Sequence, residues 1–302
     1  MTITMPESSR FGPELRTAID AARQTATLVK RFYDNRSAET YTKGDGSPVT
    51  DADLAADTKI REIIGGAFPD DAFLTEEGAK DQARLGHDRL WIVDPIDGTA
   101  EFIAGSGRFD ILIALAVDGR PVVAVTIQPP TGLMHVAIAG EGSWVSTASG
   151  FEPFRIDAAA QPARLVCSKW YQGREGKAAI DRVAARVGSP EPPIMDVGFQ
   201  PRAFDPSQRT YDAFLGLWQP PGVSAANEWD IAAPDLIVHE AGGMLTDLWG
   251  RPYPYNKRNT HISGGLLVSA SPELHGMLLE AIAPELPASP PALDPADDLG
   301  EG

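Results

Sequence analysis

Several oxygen-bearing groups lie close together in residues 91–99 of this 302-residue chain. They are the side chains of Asp94, Asp97 and Thr99 and the backbone carbonyl of Ile96. An apolar run long enough for a strand leads into the segment, and Pro95 and Gly98 then mark a turn. Such a turn can bring these oxygens to face one point, which would suit a hard cation such as Mg²⁺. A strand that simply ends in a β-turn is the alternative, because Asp, Pro and Gly are ordinary turn residues.

The charge of the chain limits what it can bind. A net charge of −16 argues against a polymeric nucleic acid as partner, because nucleic-acid binding requires a basic surface. A small phosphorylated substrate remains compatible with this charge, since metal ions held by carboxylates can lie between two negative partners. The expected ligand is therefore a small molecule.

Three features bear on the compartment. The single cysteine, Cys167, excludes an intramolecular disulfide framework and fits a reducing cytosol. The first ten residues lack the apolar core of a signal peptide, and the longest apolar run, residues 111–117, is too short to span a bilayer. We therefore expect a cytoplasmic protein without a membrane segment.

Two helices are expected before this segment. Apolar residues at helical spacing predict an amphipathic helix from Pro13 to about Tyr33, and a turn-rich loop, residues 42–49, follows and is expected to move. A second helix is expected to begin after Thr50 and to end at Gly65-Gly66. Asp53 lies three positions after Thr50, so by itself it is explained as a capping-box carboxylate.

Strands and further helices are expected after the segment. Three apolar runs, at residues 109–117, 121–127 and 133–139, predict an antiparallel meander. Beyond residue 150 short strands alternate with helices: strands at 165–168, 194–197 and 244–248, and helices at about 175–187 and 231–241. We therefore divide the chain into an amino-terminal half, 10–150, a carboxy-terminal α/β half, 151–283, and a disordered tail, 284–302, rich in Pro, Ala and Asp.

Four motifs, in one order, connect the chain to a known family. They are Ser47-Pro48-Val49-Thr50-Asp51-Ala52-Asp53, Glu76-Glu77, Asp94-Pro95-Ile96-Asp97-Gly98-Thr99, and Trp229-Asp230 followed by Ala241-Gly242-Gly243. One such motif would be a weak signal, but four in the same order are a strong one. Over roughly residues 10–280 the chain resembles the inositol monophosphatase superfamily of Mg²⁺-dependent phosphatases.

The resemblance implies a role for each matching residue. Glu76, Asp94 and the carbonyl of Ile96 would bind one metal, and Asp94, Asp97 and Asp230 would share a second, within a site of two or three Mg²⁺ ions. Thr99, hydrogen-bonded to Asp53, would act with Glu76 to orient and deprotonate a metal-bound water. The amides of Gly98 and Thr99 would hold phosphate oxygens. Taken singly, Asp53, Glu76 and Asp230 would be explained as capping or surface acids.

Other phosphatase mechanisms fit the sequence less well. A site of the haloacid dehalogenase type needs two aspartates two residues apart, whereas Asp94 and Asp97 are three apart. A cysteine phosphatase needs Cys and Arg six positions apart, whereas Cys167 and Arg174 are seven apart, so Cys167 is expected to be a buried apolar residue. The five histidines are scattered outside every motif and are expected to be structural or surface residues, not zinc ligands.

The substrate is less well defined than the chemistry. Several segments look most like those of the 3′(2′),5′-bisphosphate nucleotidases of the superfamily: residues 98–103 and 107–109, Asn227-Glu228 and Pro254-Tyr255-Asn256. The resemblance implies a bisphosphate nucleotide or an inositol monophosphate as substrate, with histidinol phosphate or a sugar phosphate as the alternative. Ala100 stands where nucleotidases usually have lysine, and the usual pattern around residues 197–202 is missing. Arg202 is a candidate for the lost positive charge and Lys43 resembles the family's loop lysine, but each also fits an ordinary surface residue.

The resemblance also implies a fold and an assembly. The fold would be a layered αβαβα sandwich of the sugar-phosphatase type, with two amino-terminal helices, a largely antiparallel sheet and a smaller α/β half. The metals would lie between the halves, with Asp230 supplied by the second. A homodimer and inhibition by lithium are implied as well. A metal- or phosphate-binding regulator without turnover is the alternative, although none of the family's ligands or water-activating residues is missing.

Overall fold

In the computed structural model, the two amino-terminal helices form as the sequence predicts. The structure describes residues 9–44, 48–78, 82–160, 162–168, 174–190, 194–195, 198–206, 208–209, 211–216 and 226–293. Helix α1 spans Gly12–Asn35 and α2 spans Asp51–Ala67. Helix α2 continues through Gly65-Gly66, the predicted stop, because the amide of Phe68 still donates to the carbonyl of Ile64.

A seven-stranded sheet packs against these helices. Its strands, in chain order and in spatial order, are β3 Ala72–Thr75, β4 Arg89–Asp97, β5 Asp110–Val117, β6 Arg120–Ile127, β7 Met134–Ile138, β8 Gly142–Thr147 and β9 Gly150–Pro153. Strands β3 and β4 are parallel, and the later neighbours are antiparallel, which confirms the predicted meander. Apolar side chains of one face, among them Trp91, Val93 and Ile113, join those of α1 and α2 in a continuous core. Each such aliphatic side chain stabilises the fold by about 1.5–3 kcal/mol relative to exposure.

Strand β4 carries the predicted metal ligands and is irregular where they lie. The sequence predicts a turn from Asp94 onward, but β4 continues through Pro95 to Asp97 and the turn comes at Gly98. Asp94 pairs with Leu112 and Asp97 with Asp110, so three steps along β4 (94 to 97) match two along β5 (112 to 110). The extra residue makes a β-bulge, a place where a sheet tolerates a proline that has no N–H to donate.

A short hairpin precedes α2. Strand β1, Thr40–Thr42, pairs antiparallel with β2, Pro48–Thr50. The loop predicted at residues 42–49 is therefore partly strand, because pairing across the hairpin gives its two sides backbone hydrogen-bond partners. Its centre, including Ser47 of the first motif, lies outside the described residues.

The later part of the chain forms a second, five-stranded sheet. Its strands are β10 Leu165–Ser168, β11 Ile194–Met195, β12 Ala213–Gly216, β13 Met244–Thr246 and β14 Leu266–Ser269, in the spatial order β11-β10-β12-β14-β13. Strand β10 is parallel to both its neighbours, whereas β14 is antiparallel to β12 and β13. The later part of the chain also contains helices α4 Arg174–Arg186, α5 Glu228–Glu240 and α6 Pro272–Ile282, and a five-residue helix, α3 Thr99–Ile103, belongs to the first part. Val197, the predicted end of one strand, lies outside the described residues.

Residue contacts group the chain into two compact units. One comprises Met1–Phe154 and Trp229–Ile237, and the other comprises Arg155–Glu228 and Val238–Gly302. The predicted division at residue 150 falls at the first residue of β9, which pairs with β8 and so stays with the first sheet. Asp230, predicted to come from the second half, is grouped with the first unit.

The start of α5 differs from its prediction. The helix begins at Glu228, three residues before the predicted Ile231, so Asp230 lies within its first turn. The buried carboxylate of Glu228 accepts hydrogen bonds from the amides of Asn256 (2.7 Å) and Lys257 (2.9 Å), and the Lys257 Nζ lies 3.2 Å away. These partners come from a distant part of the sequence, so helical periodicity alone does not reveal this helix start.

The carboxy-terminal tail is ordered further than predicted. Residues Ala283–Glu285 form a 3₁₀ turn, and Glu285 binds Arg182 and Arg186 of α4 with N–O distances of 2.6 and 2.7 Å. The carbonyl of Pro291 accepts a hydrogen bond from Arg251. Residues 294–302 lie outside the described residues.

No helix in the described ranges has both the length and the apolar character needed to cross a membrane.

Removing Lys257 should strongly destabilise the protein. Both side chains of the Glu228–Lys257 pair are at most 2% exposed, and Lys257→Met leaves a buried carboxylate without its cation. We expect the free energy of unfolding, measured by urea denaturation, to fall by about 3–5 kcal/mol. Lys30→Met is the control, because Lys30 and Asp34 are about half exposed and such a pair contributes about 0.2–1 kcal/mol. Equal losses for the two variants would contradict this assignment.

Candidate metal centre and catalytic site

The start of α2 supplies one end of the site. Asp53 accepts hydrogen bonds from the amide (2.8 Å) and hydroxyl (2.5 Å) of Thr50, which completes the predicted capping box. Its other oxygen accepts a bond from the Thr99 hydroxyl at 3.0 Å. Burial raises the pKa of Asp53, and these hydrogen bonds oppose that shift. Asp53 is therefore both a helix cap and a partner of Thr99.

A glycine turn positions Thr99. Gly98 has φ = 95°, a left-handed conformation that favours glycine, and an added Cβ would lie 3.2 Å from the carbonyl oxygen of Arg108. Thr99 follows as the first residue of α3, and its hydroxyl lies 3.3 Å from the carbonyl oxygen of Ile96. The turn thus directs the threonine hydroxyl toward Asp53 and the backbone of β4.

Three aspartates meet beside this turn. One carboxylate oxygen from each of Asp94, Asp97 and Asp230 lies within 4.8 Å of the others. In a regular strand, residues three apart point to opposite faces, so the bulge in β4 is what lets Asp94 and Asp97 meet on one side. Asp230 reaches them from the first turn of α5. The predicted ligands of the second metal therefore lie together.

This cluster fits a divalent cation. Asp94 is 1% exposed, and its Oδ1 accepts a hydrogen bond from the Ile96 amide at 3.0 Å. Burial, followed by the negative charges of Glu76, Asp97, Asp230 and Asp53, raises the pKa of Asp94 well above its ordinary value. A donor set made only of oxygens suits a hard cation, and a cation would offset the repulsion among these carboxylates. In the described part of the chain it is the one such acidic group.

The paired glutamates lie beside the cluster but hold a lysine. The Lys43 Nζ lies 2.7 Å from an oxygen of Glu76 and 2.7 Å from one of Glu77. Glu76 is not a member of the three-aspartate group, although its charge acts on Asp94. Burial raises the pKa of Glu77 to about 7. Burial alone would lower the pKa of Lys43, but its hydrogen bonds to the two glutamates outweigh this effect and raise that pKa. Glu77 is not among the site residues predicted from the sequence, although its place beside Glu76 in the motif is a usable signal.

The remaining predicted residues have different surroundings. Arg202 is half-buried on a 3₁₀ helix, Pro201–Phe204, in the second unit, and its substrate role stays a prediction. His275 is buried between the hydroxyls of Thr246 and Ser269, each 2.8 Å away, and burial lowers its pKa to about 4. Cys167 is buried. For these two residues the structural interpretation from sequence agrees with the structure.

Comparison with known proteins agrees with the geometry. The model of the inositol monophosphatase family matches residues 13–187 and 210–286. A histidinol-phosphatase from Mycobacterium tuberculosis is 32% identical over 88% of this chain and 96% of its own. The 3′(2′),5′-bisphosphate nucleotidase CysQ of Escherichia coli K12 is 28% identical over 82% of this chain and 96% of its own.

The fold agrees as well. A solved structure of an inositol monophosphatase from Zymomonas mobilis superposes with a TM-score of 0.69 and 26% identity, covering 91% of this chain and 99% of the other. The mixed α/β fold expected from the sequence motifs is therefore confirmed.

The metal-free protein should become more stable when Asp94 loses its charge. Because the folded-state pKa of Asp94 is raised, ionisation costs stability as the pH rises above about 3.9, the pKa of an unfolded-chain aspartate. Asp94→Asn keeps an acceptor for the Ile96 amide but carries no charge. In chelator at about pH 8 its thermal midpoint should exceed that of the wild type by at least about 2 °C, the shift from roughly 1 kcal/mol.

The difference should shrink toward about pH 4, where the wild-type carboxyl is protonated. Asp34→Asn, at a half-exposed position, is the control and should change the midpoint little and should not raise it at either pH. A lower midpoint for Asp94→Asn at about pH 8 would show that this carboxylate does not repel its neighbours.

Proposed function

The chain belongs to the inositol monophosphatase family, whose members are metal-dependent phosphatases of small phosphate monoesters, and we propose that it uses Mg²⁺ to hydrolyse such a monoester by direct attack of water. The observation that carries this proposal is the joint presence of the three-aspartate cluster and the Asp53–Thr99 hydrogen bond. A purely metal-binding regulator would need the first feature but not the second.

The proposed ligands of two or three Mg²⁺ ions are Glu76, Asp94, the carbonyl of Ile96, Asp97 and Asp230. Mg²⁺ in such a site makes water more acidic and neutralises charge on the leaving oxygen. The buried position of Asp94 supports this assignment, because a carboxylate is rarely retained there without a compensating cation. The net charge of −16 supports it as well, since an anionic ester would otherwise approach an acidic protein unaided.

The protein's own groups then prepare the nucleophile. The Thr99 hydroxyl donates a hydrogen bond to Asp53, which leaves the lone pairs of the threonine oxygen available to accept a hydrogen bond from the attacking water. We propose that Asp53, Thr99 and Glu76 together orient this water and take up its proton. The amides of Gly98 and Thr99, with the side chains of Lys43 and Arg202, are the proposed phosphate-binding groups.

For the substrate we propose a 3′(2′),5′-bisphosphate nucleotide or an inositol monophosphate. Similarity to a protein named as such a nucleotidase and to an inositol monophosphatase supports both. Histidinol phosphate is the second candidate, supported by the relative named histidinol-phosphatase. A cytoplasmic, lithium-sensitive homodimer completes the proposal.

A substrate panel tests the proposal. Phosphate release should be measured with and without Mg²⁺ from adenosine 3′,5′-bisphosphate, inositol 1-phosphate, histidinol phosphate and fructose 1,6-bisphosphate. We expect Mg²⁺-dependent release of phosphate. The kcat/KM of the preferred ester should exceed that of the others by at least about tenfold, which corresponds to about 1.4 kcal/mol of transition-state binding free energy. Asp94→Asn is the inactive reference. Equal release with and without Mg²⁺, or by Asp94→Asn, would contradict the mechanism.

Thr99 should contribute through its hydroxyl alone. Thr99→Val preserves the shape of the side chain but removes the bond to Asp53, so we expect kcat to fall by about 10²-fold, the lower range for a proton-transfer group. Thr99→Ser keeps the hydroxyl and should retain most of the rate. If both variants lose the same activity, the shape of the side chain matters and not its hydrogen bond.

A further inference from the structure

Arg61, on α2, contacts both ends of the turn that carries Glu76. Its Nη2 donates to the Thr75 hydroxyl at 2.8 Å, and Thr75 is the last residue of β3, directly before Glu76. At the other end of the turn, a Cβ on Gly78 would overlap the guanidinium of Arg61. The Gly78 amide donates to the Thr75 carbonyl at 3.4 Å, which closes the turn. Residues 75–78 are therefore folded closely around one guanidinium group.

The guanidinium is itself fixed from two sides. Its Nε donates to Asp57, one turn earlier on α2, at 2.9 Å, and the group stacks over the Phe73 ring at 5.5 Å. Arginine suits this place because its planar fork can bind a carboxylate and a hydroxyl at once while it stacks on an aromatic ring, whereas lysine offers only one nitrogen. Arg61 is therefore a rigid link from α2 to the end of β3.

The same face of α2 also reaches the water-activating pair. Asp53, Asp57 and Arg61 are spaced by four residues, so their side chains lie along one side of the helix. Asp53 at one end binds Thr99, and Arg61 at the other binds Thr75. The amide of Glu76 also donates to the Val93 carbonyl at 3.2 Å, which brings Glu76 alongside the residue before Asp94. One helix face thus connects the two parts of the site.

We propose that Arg61 is a positioning residue of the metal centre, which holds the turn of residues 75–78 so that Glu76 can join Asp94 as a metal ligand. This inference rests on the proposed function. Groups that orient a metal ligand typically change metal affinity or activity by about 10–100-fold when they are removed. Arg61 would act through Glu76, because its own hydrogen bonds go to Asp57 and Thr75.

Two variants test the contact between Arg61 and the turn of residues 75–78 while changing little else in the protein. Arg61→Lys keeps a positive charge beside Asp57, and Thr75→Val removes only the hydroxyl that Arg61 binds. Calorimetric titration with Mg²⁺ should show an affinity at least about tenfold weaker for both variants than for the wild type. The Mg²⁺ concentration that gives half-maximal phosphatase activity should rise by the same factor. Thr75→Ser retains the hydroxyl and should retain the affinity.

Arg89→Lys is the matched control. Arg89 is 34% exposed, compared with 35% for Arg61, and it also pairs with an aspartate, Asp71, in the same unit. Its thermal midpoint should fall as much as that of Arg61→Lys, but its Mg²⁺ affinity should be that of the wild type. Unchanged affinity in Arg61→Lys and Thr75→Val, or an equal loss in Arg89→Lys, would overturn the role of Arg61. A wild-type protein that neither binds Mg²⁺ nor hydrolyses any ester of the panel would overturn the proposed function as well.

Discussion

Repulsion among carboxylates gathered around the buried Asp94 is the constraint on which the rest of this site depends. Asp94 is almost completely buried, and oxygens of Asp97 and Asp230 lie within 4.8 Å of its own. Such a cluster persists only if the surrounding structure holds each group in place. Strand β4 pairs with β3 as far as Val93 and with β5 through Asp97, and the Ile96 amide donates a hydrogen bond to the Asp94 carboxylate. The apolar part of the same strand, where Trp91 and Val93 are buried in the core, supplies folding free energy that offsets the repulsion among the carboxylates.

Strand β4 therefore has two parts, one that packs in the core and one that carries the aspartates of the site. Up to Val93, β4 is an ordinary central strand whose side chains pack against helices. From Asp94 onward, a bulge, a proline and a left-handed glycine replace regular pairing, and each irregularity directs an oxygen atom. Rigid elements on either side supply the remaining groups, with Asp53 from the first turn of α2 and Asp230 from that of α5. A metal centre at this place would have its ligand geometry set by backbone pairing, which fixes side chains more precisely than a loop does.

Sequence reasoning succeeded where the signal was local. The spacing of Thr50 and Asp53 predicts a capping box, and the apolar runs of residues 109–139 predict the meander; both form. It failed where partners come from far along the chain. The start of α5 depends on Glu228 binding the amides of Asn256 and Lys257, and the order of the tail depends on Glu285 binding Arg182 and Arg186. Motif resemblance could identify Thr99 as a partner of Asp53, but the bulge between Asp94 and Asp97 becomes visible only in the pairing register with β5.

The bulge in β4 also restricts how this motif can change length during evolution. Residue substitutions leave the register of a sheet intact, but deletion of a single residue between Asp94 and Asp97 would remove the bulge and restore regular pairing with β5. Such a deletion would leave the two aspartates on one face, because residues two apart in a regular strand share a face, but it would displace or remove the Ile96 amide that binds the Asp94 carboxylate. An insertion at the same place would need a second irregularity in the segment of β4 that pairs with β5. Lineages that diverge in substrate preference are then expected to vary in side chains around this segment while its length stays constant.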